Sequence, residues 1–508
     1  MSAEQDAKNR WPITISIMLA TVMNSLDTTI ANVALPHMQG SISASPEQIT
    51  WVLTSYIVAA AIMTPMSGWL ADRLGRKNIF LISIGGFTVA SMLCGIATSL
   101  PEIVLFRLLQ GVFGAALIPL SQAVLLDINP PEKHGQAMAI WGAGAILGPI
   151  LGPALGGYLT ENFSWRWCFY INLPIGILAL LGVWFFISGD RVKRAKPFDF
   201  LGFGMLTLFV GAFQLVLDRG PSQDWYSSPE IWTETILAVV GLWVFVIHTM
   251  TARHPFFDRA LIRDRNFVTA SVFGFFIGIL LFSTMALLPP MMQVLLGYPV
   301  LTSGLVSVPR GLGSFVAMFA VGQLVGRVDT RLILFTGLCI SCVALWQMMH
   351  FDLAMTTTPL IVSGIIQGLG IGLLFVPLST LAFATVPPAL RPEGSSVYTL
   401  VRNLGSSVGI SIMNALVVAN TQTMHSSIAA HVIPSDATVR TMLPPMFNPD
   451  TAAGITALNA EVTRQATMIA YIDDFKLMFI ITIACMPMLL LMRTPKRTGG
   501  EPIHAAVD

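Results

Sequence analysis

Gly68-Trp69-Leu70-Ala71-Asp72-Arg73-Leu74-Gly75-Arg76-Lys77 closes one apolar run and opens the next, and Gly322-Gln323-Leu324-Val325-Gly326-Arg327 repeats its frame 254 positions later. A second set agrees: Gln110-Gly111 and Pro130-Pro131 return 257 positions on as Gln367-Gly368 and Pro387-Pro388, and Pro119-Leu120-Ser121 returns 258 positions on as Pro377-Leu378-Ser379. Two nearly equal offsets in separate segments mark an internal duplication, the first thing to seek in a long chain. The second copy replaces Asp72 by Gly326 and keeps Arg327 and Arg331, so the halves are related without being equivalent.

The surroundings of these stretches define the solvent. Of 508 residues, 54% are hydrophobic and 11% charged, against about 25% charged in soluble domains, and the mean hydropathy is +0.72. A bilayer core of about 30 Å takes about 20 apolar residues per helix. Fourteen segments meet that need, near 13–35, 50–70, 79–98, 102–126, 136–159, 168–188, 199–217, 231–250, 267–289, 302–324, 331–350, 358–385, 395–419 and 474–492. The first follows Lys8 and Arg10, lacks a small-residue cleavage site and carries Asp27, so it reads as a retained span. The duplication joins span 2 to span 10 and span 4 to span 12. This even step gives both copies one orientation, the pattern of parallel transporter halves that rock about a central site.

The expected fold is therefore an all-α polytopic membrane protein: residues 1–188 as one six-helix bundle, 189–266 as two inserted helices with linkers, 267–492 as a second bundle, and 493–508 as a tail. Basic residues gather in alternate loops, at Lys8 and Arg10, Arg73 to Lys77, Lys133, Arg191 to Lys196, Arg253 to Arg265, Arg327 and Arg331, Arg391, and Arg493 to Arg497. The opposite loops hold only Arg166, Arg219, Arg440, Arg464 and, at a span edge, Lys476. The positive-inside rule then puts both termini in the cytoplasm. The long outer loop 420–473 repeats Ile455, Leu458, Val462, Ala466, Ile469 and Ile472 at spacings of three and four, which predicts an amphipathic helix lying near the outer surface.

Several function classes drop out. The net charge of +1 favours no nucleic acid. Five cysteines inside or beside apolar runs form neither a disulfide framework nor a metal motif. No glycine loop ends in Lys-Ser or Lys-Thr, so direct ATP drive and enzymatic phosphate chemistry have no motif.

Charges inside spans carry the functional signal, since each is costly at mid-bilayer and faces a cavity or a partner. Four qualify: Asp27, Arg107, Arg310 and Arg402. Asp27 is the sole carboxylate expected well inside a span. At 1.5 Å per residue Asp27 and Arg107 differ in depth by about 6 Å, so they can share one cavity, with Gln110 one turn from Arg107. A motion that changes their separation would load and release a proton. Three arginines against one aspartate bias the cavity toward anionic or weakly acidic amphiphiles. The turn of Gly68, Asp72, Arg73, Arg76 and Lys77 reads as a cytoplasmic gate. In span 5, Gly144, Gly148, Gly152 and Gly156 recur every four residues, with Pro149 and Pro153 between them. That spacing makes a slowly winding groove for close helix approach, on a helix whose prolines remove backbone donors.

The Gly68 to Lys77 turn, Arg107-Leu108-Leu109-Gln110-Gly111 and the span 5 glycine–proline run resemble the signature motifs of major facilitator antiporters. Leu26-Asp27-Thr28-Thr29-Ile30-Ala31-Asn32-Val33-Ala34-Leu35-Pro36 resembles the first-helix signature of the fourteen-helix drug:proton antiporters. Trp165 to Pro174, Leu217-Asp218-Arg219-Gly220 with Asp224-Trp225, and Arg265-Asn266-Phe267 are similar to EmrB-type subunits. The resemblance implies a major facilitator fold and proton-driven efflux of amphiphilic compounds across the bacterial inner membrane, with no cofactor. It implies an EmrA-like periplasmic adaptor and an outer-membrane channel as partners. Carried over, Asp27 is the proton-coupling acid, Arg107 its switch partner, Asp72 and Arg76 the gate, and the span 5 glycines the antiporter hinge. A dedicated exporter of one metabolite or siderophore, and a non-transporting sensor or scaffold, are the competing readings.

Overall fold

The computed structural model describes residues 9–44, 46–49, 51–130, 133–188, 197–324, 327–431, 444–448 and 450–492. Gly326, Lys8, Arg440, Pro131, the basic run 191–196 and the tail from 493 lie outside these residues. Thirteen described helices are long and apolar enough to cross a membrane, and one bent pair makes a fourteenth. They are α1 (Arg10–Ile42), α2 (Trp51–Met63, continued after a 58° bend by Met66–Leu74), α3 (Arg76–Ile96), α4 (Leu100–Ile128), α5 (His134–Asn162), α6 (Trp167–Phe186) and α7 (Phe200–Arg219). There follow α8 (Pro229–Thr251), α9 (Arg265–Leu295), α10 (Leu301–Leu324), α11 (Thr330–Met348), α12 (Thr357–Phe383), α13 (Arg391–His431) and α14 (Ala452–Leu491). Each coincides with one of the fourteen apolar segments.

Local chemistry sets several helix starts. Asp264 Oδ1 accepts from the Phe267 amide at 2.8 Å, and Thr451 Oγ1 accepts from the Gly454 amide at 3.0 Å. Both cap otherwise unsatisfied first-turn donors. Between α2 and α3 the chain reverses through Gly75 at φ 82°, a left-handed conformation natural to glycine.

The two bundles pack by the same rule. α1 lies on α5 and α6, while α9 lies on α13 and α10 on α12. The seam between bundles runs along α5 and α10, where a Cβ on Gly304 would sit 3.3 Å from Ala154 and one on Gly322 would sit 2.9 Å from the Ala139 Cβ. Of the inserted pair, α7 packs on both α2 and α13 and so crosses the second seam, whereas α8 packs on α7 and turns most of its surface outward. On α7, the Leu217 carbonyl accepts from Ser411 of α13, and Asp218 accepts from Thr54 of α2.

The outer loop differs from its expectation. The structure continues α13 to His431 and begins α14 at Ala452, so most of 420–473 extends the spans themselves. Helices of 41 and 40 residues are about 60 Å long, twice the hydrocarbon thickness. His425 Nε2 meets Asn459 Oδ1 at 3.0 Å across this pair. Val462 and Ala466 are buried while Ile455 is exposed. The spacing of three and four therefore marks a helix paired with a helix; a helix resting on lipid has the same spacing.

Candidate functional site

Asp27 sits mid-helix in α1 and is fully buried, as is Arg107 on α4. Arg107 Nη1 donates to Asp27 Oδ2 at 2.6 Å, and Gln110 Nε2 and Asn172 Nδ2 donate to Asp27 Oδ1 at 2.8 and 2.9 Å. Arg107 is held from every side. Its Nε donates to the Val52 carbonyl at 3.1 Å, its Nη1 also reaches Gln110 Oε1 at 2.8 Å, and its Cζ lies 4.2 Å over Tyr56 and 5.7 Å over Phe169. Asn172 in turn donates to Ser91 Oγ at 3.0 Å, and Ser91 to the Phe169 carbonyl. A buried ion pair stands only when its remaining hydrogen-bonding capacity is met. The second member of each bond comes from α2, α3, α4 or α6, so any rearrangement of these helices changes what Asp27 touches.

The span 5 glycines clamp the helix that bears this acid. A Cβ on Gly148 would lie 2.4 Å from the Leu26 amide nitrogen, and one on Gly152 would lie 2.1 Å from Thr29 Oγ1. Gly144 and Gly156 meet Met18 and Ile30 in the same way, and Thr29 Oγ1 donates to the Gly148 carbonyl at 3.2 Å. The groove thus flanks Asp27 on both sides. The same helix α5 packs on α10 at the seam and on the α1 backbone at residues 25–30. Pro149 and Pro153 fall on this same helix.

The residues expected to form the gate lie at one end of the bundles, together with Asp127. Gly68 abuts the other bundle so closely that a Cβ would be 2.9 Å from Glu393 Cα. Ser67 and Ser396 share a hydrogen bond at 2.8 Å, and Ser395 Oγ reaches Gln122 Oε1 at 2.9 Å. Asp127, at the end of α4, takes Arg76 from its own bundle and Arg391 from the other, the latter at 3.1 Å. Asp72 and Arg73 are exposed beside this cluster, with Arg73 Cζ 5.0 Å over Trp69. Lys77 Nζ donates to the Trp184 carbonyl at 2.7 Å. Asp127 thus links the two bundles at this end.

Arg310 and Arg402 do not join Asp27. Arg310 Nη2 donates to the Leu281 carbonyl at 3.2 Å and to Thr284 Oγ1 at 3.1 Å, and Gln367 Nε2 also donates to Thr284 at 3.0 Å. Thr284 follows Asp27 by 257 positions, as Gln367 follows Gln110, while Gly364 holds the place of Arg107. A Cβ on Gly364 would lie 3.5 Å from the Arg310 Cβ. The second bundle therefore repeats the site with the acid replaced by an alcohol and the cation moved to a neighbouring helix. Arg402 is buried with Nε and Nη1 unpartnered, its Cζ 5.3 Å over Phe375. Phe375 stacks at 5.6 Å on Trp141 of the first bundle. The Arg402 carbonyl lies against Gly278, one turn of α9 before the Leu281 carbonyl that Arg310 uses.

Sequence reasoning missed Asn172, Asp127 as the bridging acid, Thr284, and Asp474. The last corrects the expectation of a single interior carboxylate: α14 begins well before residue 474 and buries it. The duplication offset applied to Asp27 would have found Thr284.

Two packed helical bundles with fourteen candidate spans and a buried acid–arginine pair are the architecture of a polytopic membrane transporter. The Major Facilitator Superfamily model matches residues 17–410, and the chain belongs to that family. It is 36% identical over 425 residues to the multidrug export protein EmrB of Haemophilus influenzae, covering 83% of each chain. It is 33% identical over 494 residues to the fatty acid resistance protein FarB of Neisseria gonorrhoeae, covering 96% of this chain and 97% of that one. The human organic anion transporter MFSD10 shares its fold with a TM-score of 0.59 at 14% identity, over 95% of this chain and 100% of that one. The chain is a multi-pass, EmrB-like protein of the bacterial inner membrane.

Proposed function

We propose that this protein is a proton-coupled exporter of amphiphilic small molecules that works by alternating access. The observation that carries the reading is the fully buried Asp27–Arg107 pair inside a bundle clamped by α5. Protonation of Asp27 from the periplasmic side neutralises the acid and releases Arg107 from it. The α5 groove passes that change to the seam with α10, and the gate at Gly68, Asp72, Arg73, Arg76, Lys77 and Asp127 opens. Cargo arriving from the cytoplasm or inner leaflet favours return of the proton inward and reclosure. The proton gradient supplies the energy, without a cofactor. The two bundles are residues 1–188 and 267–492, joined by the inserted pair in 189–266, with both termini cytoplasmic. An EmrA-like adaptor and an outer-membrane channel complete the export route.

The cargo class follows from charge. Asp27 is matched by Arg107, whereas among the described residues Arg310 and Arg402 have no carboxylate partner. An amphiphile with a carboxylate head and an apolar body suits two buried guanidiniums, one of them over Phe375; FarB, a relative named for fatty acid resistance, fits the same chemistry. Transport in proteoliposomes of matched anionic and cationic amphiphiles tests this. Preference for the anion is expected, and preference for the cation would refute it.

A further inference from the structure

α14 carries an acid that the exchange on Asp27 does not use. Asp474 is 1% exposed and neither of its oxygens has a hydrogen-bond partner. The cytoplasmic end of α14 is fixed where Arg331, at the start of α11, donates to the Met492 carbonyl. Counting from there at 1.5 Å per residue places Asp474 about 27 Å along the helix, at the outer edge of a core of about 30 Å. Its neighbour Phe475 meets Phe351 edge-on at 6.0 Å. The surrounding cluster is rich in methionine: Met291, Met292, Met348, Met413, Met468 and Met478.

Among the described residues no cation offsets this group. On its own helix the ionisable neighbours are Tyr471, Asp473 and Lys476, and Lys476 is exposed, two residues on and so turned to the far side of the helix. The facing stretches of α9 over 277–295 and of α13 over 405–420 hold no titratable residue. α11 offers Cys339, Cys342 and His350, and His350 is exposed and bonded to the Trp346 carbonyl of its own helix. An ionised carboxylate without a donor in such surroundings is far costlier than the neutral acid, so the packed state holds Asp474 with its proton on.

We propose that Asp474 is a second proton-binding site, in the C-terminal bundle, filled while the outer ends of α11, α13 and α14 are packed and emptied to the periplasm when they part. The inference rests on the packing of α14 and not on the export reading, so its test reads the proton directly. Infrared difference spectra of the full chain in liposomes, on a step from acid to alkaline pH, should show loss of a protonated carboxyl band. That band is absent in Asp474→Asn and kept in Asp27→Asn, and titration of Asp474→Asn counts one proton fewer per chain. Asp474→Met, which fills the place with the side chain its neighbours already use, keeps the fold and likewise lacks the band. A band of equal strength in both Asp474 variants, or no such band in the unaltered protein, would overturn the proposal.

Discussion

The two bundles solve the same packing problem and differ in the group at its centre and in the helix that supplies the cation. In the first, Arg107 and Gln110 converge on the carboxylate of Asp27; in the second, Arg310 and Gln367 converge on the hydroxyl of Thr284. The glycines that hold the neighbouring helix are repeated as well. A Cβ on Gly405 would lie 2.1 Å from the Phe275 carbonyl and one on Gly409 2.8 Å from Ile279 Cα, just as Gly148 and Gly152 press on Leu26 and Thr29. One scaffold thus has two electrical outcomes. On the proposed function, the first bundle exchanges a proton against an internal ion pair, while the second keeps a standing positive charge for an anionic head to neutralise.

The largest effect that sharpens this contrast comes from Asp27→Asn. Gradient-driven efflux from inverted vesicles should be abolished, and Arg107, left buried without its acid, should cost stability by about 3–5 kcal/mol. The double variant Asp27→Asn with Arg107→Gln should recover most of that stability in thermal unfolding and none of the transport. Thr284→Asp makes the halves alike. It supplies Arg310 with a partner, so the protein should stay folded while anionic amphiphiles lose their advantage over neutral ones in transport; an unchanged preference would break the assignment of the positive charge to cargo binding.

Gly148→Ala and Gly405→Ala probe the shared packing. Each adds a methyl where backbone lies closer than van der Waals contact, and each should destabilise by about 1–3 kcal/mol. Only Gly148→Ala should also alter proton coupling, seen as a lower ratio of protons moved to cargo moved. The smallest effect is expected at the gate. Arg391→Ala removes one arm of a mostly buried pair whose acid keeps Arg76, at a cost of about 1 kcal/mol, and should raise the open fraction at this end measured by spin-label distances across residues 68 and 393.

Much of this was legible in the sequence, and the exceptions share a cause. Apolar run length fixed the fourteen helices, because lipid leaves no other solution for the backbone. The depths of Asp27 and Arg107 were enough to place them together, since helix rise is constant. Thr284 and Asn172 went unseen because an alcohol or amide inside a span is cheap and common, and so gives no signal in isolation. Asp127 falls at a helix end, where a charge is cheap, and its link to Arg391 is a contact between bundles that no local spacing encodes. The stripe from Ile455 to Ile472 was read as a surface helix because a lipid face and a partner helix impose the same period. The two inserted helices were without a role in the sequence; the structure puts α7 across the seam between α2 and α13.

The decisive measurement is proton release on cargo binding, followed with a pH-sensitive dye in lightly buffered proteoliposomes of the unaltered protein and of Asp27→Asn. Release by the unaltered protein and none attributable to residue 27 in the variant is the predicted result. Equal release from both, or continued uphill efflux by the variant under a pH gradient, would contradict coupling through Asp27.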